Sequence, residues 1–354
     1  MLRFLLLFVA VFGTLVPAVA AETDSLIGRP YTSFAPTAFC TYTTFHPSQY
    51  LTDNNWDILC AFTRPGEKSR LDSLGITASA SQLRLLEVGG LLGRQGKEYT
   101  TLMPIFGKKE TRLIREESKA FADSIFPSIR PYIQKLVAEF NRLGFSAQTY
   151  SLVFSYLLDG YIWNDSYLPT AERMTDHGTW AGAFWAMYEK RSHVTTGTNS
   201  YGPVSVNWTD SLGYFPGSAS LVAFAKEVNK NNGGTVTDSA LVAKLSTWGL
   251  TDTDGRITIP IIRTNNGDPV DSICAAIATP INDAVKRHCT LWPDVHGITD
   301  QELAQVIFYH EVLWNLLDLC ESEHLITVPD ILRGREVGRQ HFGDITFIVL
   351  DTPA

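Results

Sequence analysis

The chain has 354 residues, 45% of them hydrophobic and 19% charged, enough apolar material for a large core or for two of ordinary size, and unlike a disordered or fibrous chain. Its formal charge of −8 argues against nucleic acid or an anionic membrane surface as the main partner.

Met1-Leu2-Arg3 leads into an apolar run from Phe4 to Val16, closed by Pro17-Ala18-Val19-Ala20-Ala21. A basic start, an apolar stretch and a small-x-small end predict a secretory signal peptide over residues 1–20, cut after Ala20. The run is shorter than the roughly 20 apolar residues of a spanning helix. The mature chain is therefore expected in a periplasm or outside the cell. Residues 21–47 read as an N-terminal extension.

Residues 48–165 open with a helix over 54–62 and a short helix around Leu83 and Leu86. Gly89-Gly90 follow, then a turn at Gln95-Gly96 and an extended run from Tyr99 to Phe106. Leu113, Phe121, Ile125, Ile129, Ile133, Leu136, Val137 and Phe140 then recur at helical spacing, predicting one long helix over about 109–143. After Gly144 another helix is expected over about 147–164.

Residues 166–216 are rich in aromatics, Gly, Asn and Thr. The alternation Val204-Ser205-Val206-Asn207-Trp208 predicts a strand, and Gly197 to Pro203 a turn-rich loop. Residues 217–326 repeat the earlier order of events. A helix over 218–228 precedes a short helix around Leu241 and Leu245, then Trp248-Gly249-Leu250, a turn at Asp254-Gly255, an extended run Ile257 to Ile262, and helices over about 269–288 and 299–319. The tail, 327–354, holds a strand over 344–350 that is expected to pair with 204–208.

Pro127, Gly144 and Tyr156 answer Pro280, Gly297 and Tyr309 at one offset of 153 residues, which points to an internal duplication. Each copy runs helix, helix, then an apolar strand pair with a turn at its tip, an order that resembles the winged-helix fold. The resemblance covers about half the chain and carries no family motif. It implies an α+β fold: two duplicated winged-helix-like segments, 48–165 and 217–326, joined by an aromatic-rich small β-sheet. Winged helices often bind DNA, and the first segment is locally basic, but export would remove the chromosome from reach.

Strong catalytic signatures are missing. His310-Glu311 lacks the second histidine of a zinc-protease helix, and there is neither a Gly-x-Ser-x-Gly elbow nor a phosphate-binding Gly-Lys-Thr loop. Asp252-Thr253-Asp254-Gly255 has the look of a calcium loop, but its register puts Leu250 and Ile261 where carboxylates are required, so a tight turn is the reading. No cofactor is implied.

The best candidate binding surface is Trp180, Trp185, Tyr201 and Trp208, whose flat faces and polar edges suit a sugar-like ligand, with Asp176 and His177 at its mouth and Asn199, Asn207 and Asp210 nearby. The same side chains, being large, suit a core better still. Asn164-Asp165-Ser166 and Asn207-Trp208-Thr209 match the glycosylation acceptor pattern.

Five cysteines in an oxidising compartment predict bridges with one thiol left over. Nearness favours Cys40 with Cys60. If the last two long helices are antiparallel, Cys274 approaches Cys320, with Cys289 about 30 Å away at 1.5 Å per residue. Cys320 and His324, four apart, would otherwise share a metal, but a fourth ligand is not evident and no metal site is expected. The leading functional expectation is an exported, non-catalytic protein that binds a ligand or a protein partner. A secreted hydrolase centred on the aromatic segment is the second, and a nucleic-acid-binding regulator, should the N-terminus be misread, the third.

Overall fold

Nine residues of β-compatible sequence, Phe34–Tyr42, form β1, and a computed structural model of the chain shows where they pair. The structure describes residues 23–42, 47–163, 168, 175–178, 180–191, 196–212, 215–264 and 269–351. The signal-like stretch and the Asn164-Asp165-Ser166 acceptor lie outside the described residues. Helices dominate and the strands form small sheets, so the chain is α+β. It packs as two units, each assembled from separated stretches: 1–118, 169–190 and 285–311 in the first, 119–168, 191–284 and 312–354 in the second.

In the first unit β1 pairs antiparallel with β6 (Trp180–Glu189), and the short β5 (Thr175–Asp176) lies on β6's other side. Ile105 adds a parallel bridge to Met187, where Met187 N donates to Pro104 O at 2.9 Å and Phe106 N to Met187 O at 2.8 Å. Between β1 and that bridge the chain runs α1 (Asn55–Ala61), β2 (Gly66–Glu67), α2 (Ser69–Ser73), α3 (Ala80–Val88), β3 (Leu92–Gln95) and β4 (Glu98–Thr101), with sheet order β2-β4-β3. Local chemistry explains α3. Ser79 Oγ accepts from Gln82 N at 3.1 Å while Gln82 Oε1 accepts from Ser79 N at 3.0 Å, a capping box. Gly90, at φ +70°, ends the helix, and Leu91 N returns to Leu86 O at 3.0 Å. Phe34, Trp56, Ile58, Leu59, Leu86 and Met187 share this unit's core.

In the second unit the sheet order is β7 (Thr196–Tyr201), β8 (Val204–Thr209), β10 (Thr346–Asp351), β9 (Ile261–Thr264). β8, read from alternation, pairs antiparallel with β10, the strand expected in the tail, and β9 pairs parallel to β10 with Ile348 N donating to Pro260 O at 2.8 Å. Residues 197–201, expected as loop, are strand. Gly197 leaves room for the Trp208 ring, which a Cβ there would meet at 2.7 Å, so a composition that looks turn-rich serves close packing across a hairpin. Before β9 come α5 (Ser218–Lys230) and α6 (Ser239–Thr247), the latter capped by Asp238 Oδ1, which accepts from Ala240 N at 2.9 Å and Leu241 N at 3.0 Å.

Gly249, at φ +69°, closes α6, and a Cβ there would lie 2.2 Å from Gln340 O. Gly297 has the same φ and nothing within 4 Å. Gly297→Ala is therefore expected to cost about 1 kcal/mol, the left-handed backbone penalty, and Gly249→Ala well above it in the same chemical unfolding experiment. Equal costs would show that the contact with Gln340 relaxes freely.

α4 (Lys108–Arg142) buries Ile125, Ile129, Ile133, Leu136 and Phe140 along one stripe while Pro127 and Pro131 face solvent. The carbonyls those prolines leave unbonded are thus open to water, which is why the helix continues through them. The helix expected over 147–164 is broken into a 3₁₀ turn (Ser146–Gln148), a short α turn (Thr149–Ser151), a π segment (Leu152–Leu158) and a further 3₁₀ turn (Tyr161–Trp163). Every side chain from Leu152 to Leu158 is buried, and Ser155 is drawn into bonds with Thr198 and Asn207, so tertiary contacts set the local winding. α7 (Pro269–Cys289), α8 (Trp292–His296) and α9 (Gln301–Ser322) complete the helices that bear on the site. Among the described residues no helix is long and apolar enough to cross a membrane.

Candidate functional site

The six aromatic-segment residues are divided between the units. Asp176, His177, Trp180 and Trp185 belong to the β5–β6 hairpin of the first, Tyr201 and Trp208 to the β7–β8 hairpin of the second. His177 stacks on Trp180 with centroids 4.2 Å apart, and burial lowers the imidazole's pKa against the opposing pull of Asp176. Asp176 Oδ1 accepts from Gly178 N at 2.7 Å, a turn contact. Trp180 and Trp185 are buried. Asn207 is fully buried and its Nδ2 donates to Ser155 Oγ, so in the folded chain it is closed to glycosylation.

All five cysteines are free thiols, so the expected Cys40–Cys60 and Cys274–Cys320 bridges are not formed. Cys274 and Cys320 are fully buried, as are Cys60 and Cys289, and behave as small apolar side chains. Burial pushes the Cys40 and Cys320 thiols up to about 12. Unfolding in non-reducing buffer is expected to expose five thiols to a quantitative reagent, whereas a count of one or three would show bridges. Cys320 is enclosed while His324 is exposed, so this pair does not converge on a metal. Among the described residues no group of three or more His, Cys, Asp or Glu side chains is arranged to hold one.

A dense set of titratable groups among the described residues was not evident from sequence. Glu110 and Glu117 lie two turns apart on one side of α4. His296 Nδ1 donates to Glu110 Oε1, and its Nε2 to Glu117 Oε2 at 2.8 Å, while Glu117 Oε1 takes His288 Nε2 from α7. The His288 ring stacks on Phe308 at 4.4 Å, and Trp292 lies 4.5 Å from His296. The His296 side chain is 1% exposed. Burial alone would lower its pKa, but bonds to two carboxylates outweigh it and raise the group to about 9. Burial likewise raises Glu117, and bonds from His288 and His296 outweigh it, bringing the carboxyl to about 2. His296 is thus an imidazolium clamped on both nitrogens. The neighbouring Cys289 thiol is pushed up by burial and by Glu117, so it is no nucleophile. Nearby, Arg115 Nε donates to the buried Glu311 at 3.0 Å and its Nη2 to Glu189 O at 2.6 Å. These groups spend their proton and charge capacity on one another, which suits a structural lock.

An open cleft of about 340 Å³ lies in the first unit where residues 28–32 pass α1, lined among others by Arg29, Tyr31, Asp53, Trp56 and Asp57. Gly28 N donates to Asp57 Oδ1 at 2.7 Å and holds the segment against the helix. Trp56 is 2% exposed, its ring 4.9 Å from Phe34, yet its indole Nε1 has no hydrogen-bond partner. Arg29 is committed elsewhere: its guanidinium forms a two-pronged pair with Glu189 and lies 4.8 Å over the Phe34 ring. No protein-family model, characterised protein or solved structure matches this chain.

Proposed function

We propose that the chain is an exported, non-catalytic binding protein that takes a small polar ligand in the cleft beside Trp56. The carrying observation is the open cleft itself, lined by Asp53, Asp57 and Trp56, whose buried indole Nε1 has no hydrogen-bond partner. The signal-like residues 1–20 support export. The closed state of the Glu110–His296–Glu117–His288 cluster supports a role other than catalysis, because the best acid–base groups are consumed internally.

On this reading the scaffold is two copies of a winged-helix-like segment. Support comes from matching local chemistry at one spacing of 159 residues: helix caps at Ser79 and Asp238, left-handed glycines at Gly90 and Gly249, and hairpin glycines at Gly96 and Gly255. Each copy also ends in the same parallel contact, Pro104 O with Met187 N and Pro260 O with Ile348 N. Thermal-shift screening of the mature chain with a chemically mixed fragment library tests the binding reading. Stabilising fragments that lose their effect in Trp56→Phe, read as shifts from that variant's own ligand-free melting temperature because the smaller ring leaves a cavity in the core, are the expected result. Hits indifferent to Trp56→Phe, or none, would refute it.

A further inference from the structure

The turn between α7 and α9, residues 290–298 with α8 inside it, is fastened to the elements packed against it by side chains alone. Among the described residues, the backbone hydrogen bonds of 291–298 close within the turn or back onto His288. Leu291, Asp294 and Val295 are exposed, and the buried side chains are Trp292, His296 and Ile298. Trp292 packs against Phe308 of α9 with centroids 5.5 Å apart, but its Nε1 has no hydrogen-bond partner. The polar fastening of the turn is therefore His296, which bonds Glu110 and Glu117 of α4. Two such bonds need two N–H groups, and an imidazole carries two only when protonated. A neutral ring can donate to one carboxylate, and it leaves both without the cation between them. The charges that bear on His296 are those of Glu110 and Glu117. From α7, His288 is already spent on Glu117 and Cys289 is a buried thiol. On α4, Arg112 and Arg115 are paired with Glu116 and Glu311; α8 adds the exposed Asp294, and α9 meets the turn through the uncharged Phe308.

We propose that residues 290–298 are a proton-held latch, which stays closed on α4 while His296 carries both protons and swings out when the ring loses one, ahead of any unfolding of the unit around it. Opening bares Trp292 beside Leu291 and Val295, which are exposed in the closed state. The bonds that raise His296 from 6.5 to about 9 set the direction: the latch is fully held below about pH 6.5 and is released as pH rises through 9. A five-residue helix does not keep its own hydrogen bonds in water once undocked, so release sets the amides of α8 exchanging. The latch is independent of the cleft beside Trp56.

Amide hydrogen exchange of the full mature chain, read by mass spectrometry as protection relative to the intrinsic rate at each pH, tests this. Protection of the peptide covering 290–298 is expected to fall at least about tenfold between about pH 7 and pH 9.5 while that of α4 and α9 holds. Glu110→Gln keeps an acceptor for the ring but removes one carboxylate charge, so it should move the fall down by about one pH unit. Protection of 290–298 that does not change with pH, or that is lost only together with α4 and α9, would overturn the latch, and the parent chain alone decides this. A fall that Glu110→Gln leaves in place would assign the release to another titrating group and overturn the role of His296.

Discussion

Replacing His296 by alanine is expected to destabilise the folded chain by about 3–5 kcal/mol, the usual cost of removing one member of a buried ion pair. Glu110, 8% exposed, would be left facing Glu117 with the intervening imidazolium gone. The same cluster dictates a pH profile. His296 is raised from 6.5 to about 9, so its contribution is complete below about pH 6.5 and is lost as pH rises through 9. Glu117 is lowered from 4.5 to about 2, so its contribution is complete above about pH 4.5 and is lost as pH falls towards 2. The plateau therefore lies between pH 4.5 and 6.5. The two shifts reflect the same bonds and count once, about 3 kcal/mol. Urea midpoints across pH should show this plateau in the parent and a flattened profile in His296→Ala. An unchanged profile, with less than about 1 kcal/mol lost, would mean the clamp carries no net stability.

Arg115→Met is expected to cost a comparable amount, about 3–5 kcal/mol, because it strips the guanidinium from Glu311, 1% exposed, and also removes the donor to Glu189 O. The double variant Arg115→Met/Glu311→Leu should recover most of that loss, since an apolar pair of similar bulk needs no counter-charge. A double variant as unstable as the single one would locate the cost in packing or in the Glu189 contact rather than in the Glu311 carboxylate.

Much of the helical scaffold was legible in the sequence because its signals are local. Ser79 with Gln82, Asp238, Gly90 and Gly249 mark helix ends wherever they stand, and the stripe from Ile125 to Phe140 needs no partner to be read as helical. The pairing of β8 with β10 was anticipated from one alternating run, 204–208, and one strand-like tail run, 344–350. What was not legible depends on distant contacts. Gly197, Thr198 and Asn199 read as loop, yet strand β7 exists because Trp208 covers Gly197 and Ser155 bonds Thr198. The winding around Leu152–Leu158 likewise answers to buried partners rather than to propensity. The cysteines were read through the compartment, whereas the packing treats them as core atoms.

The candidate site was the least legible part. Glu110 and His296 are 186 positions apart, and Glu117 and His288 are 171 apart, so no short motif joins them. The signal available was two glutamates on the side of α4 that also carries buried Ile114 and Ser118. Trp56 looked like one more core aromatic, and its Phe34 contact makes it one. Its place in the lining of a cleft with Asp53 and Asp57 is a matter of tertiary contact that the sequence does not show.

The most direct measurement is the indole N–H resonance of Trp56 in chain labelled with ¹⁵N-tryptophan, assigned by its disappearance in Trp56→Phe and followed during titration with a fragment that stabilises the parent chain. A saturable downfield shift of that one resonance, reporting a new acceptor on Nε1, is the result predicted here. Saturating ligand with the Trp56 resonance unmoved, while other tryptophans shift, would place binding elsewhere and contradict the account.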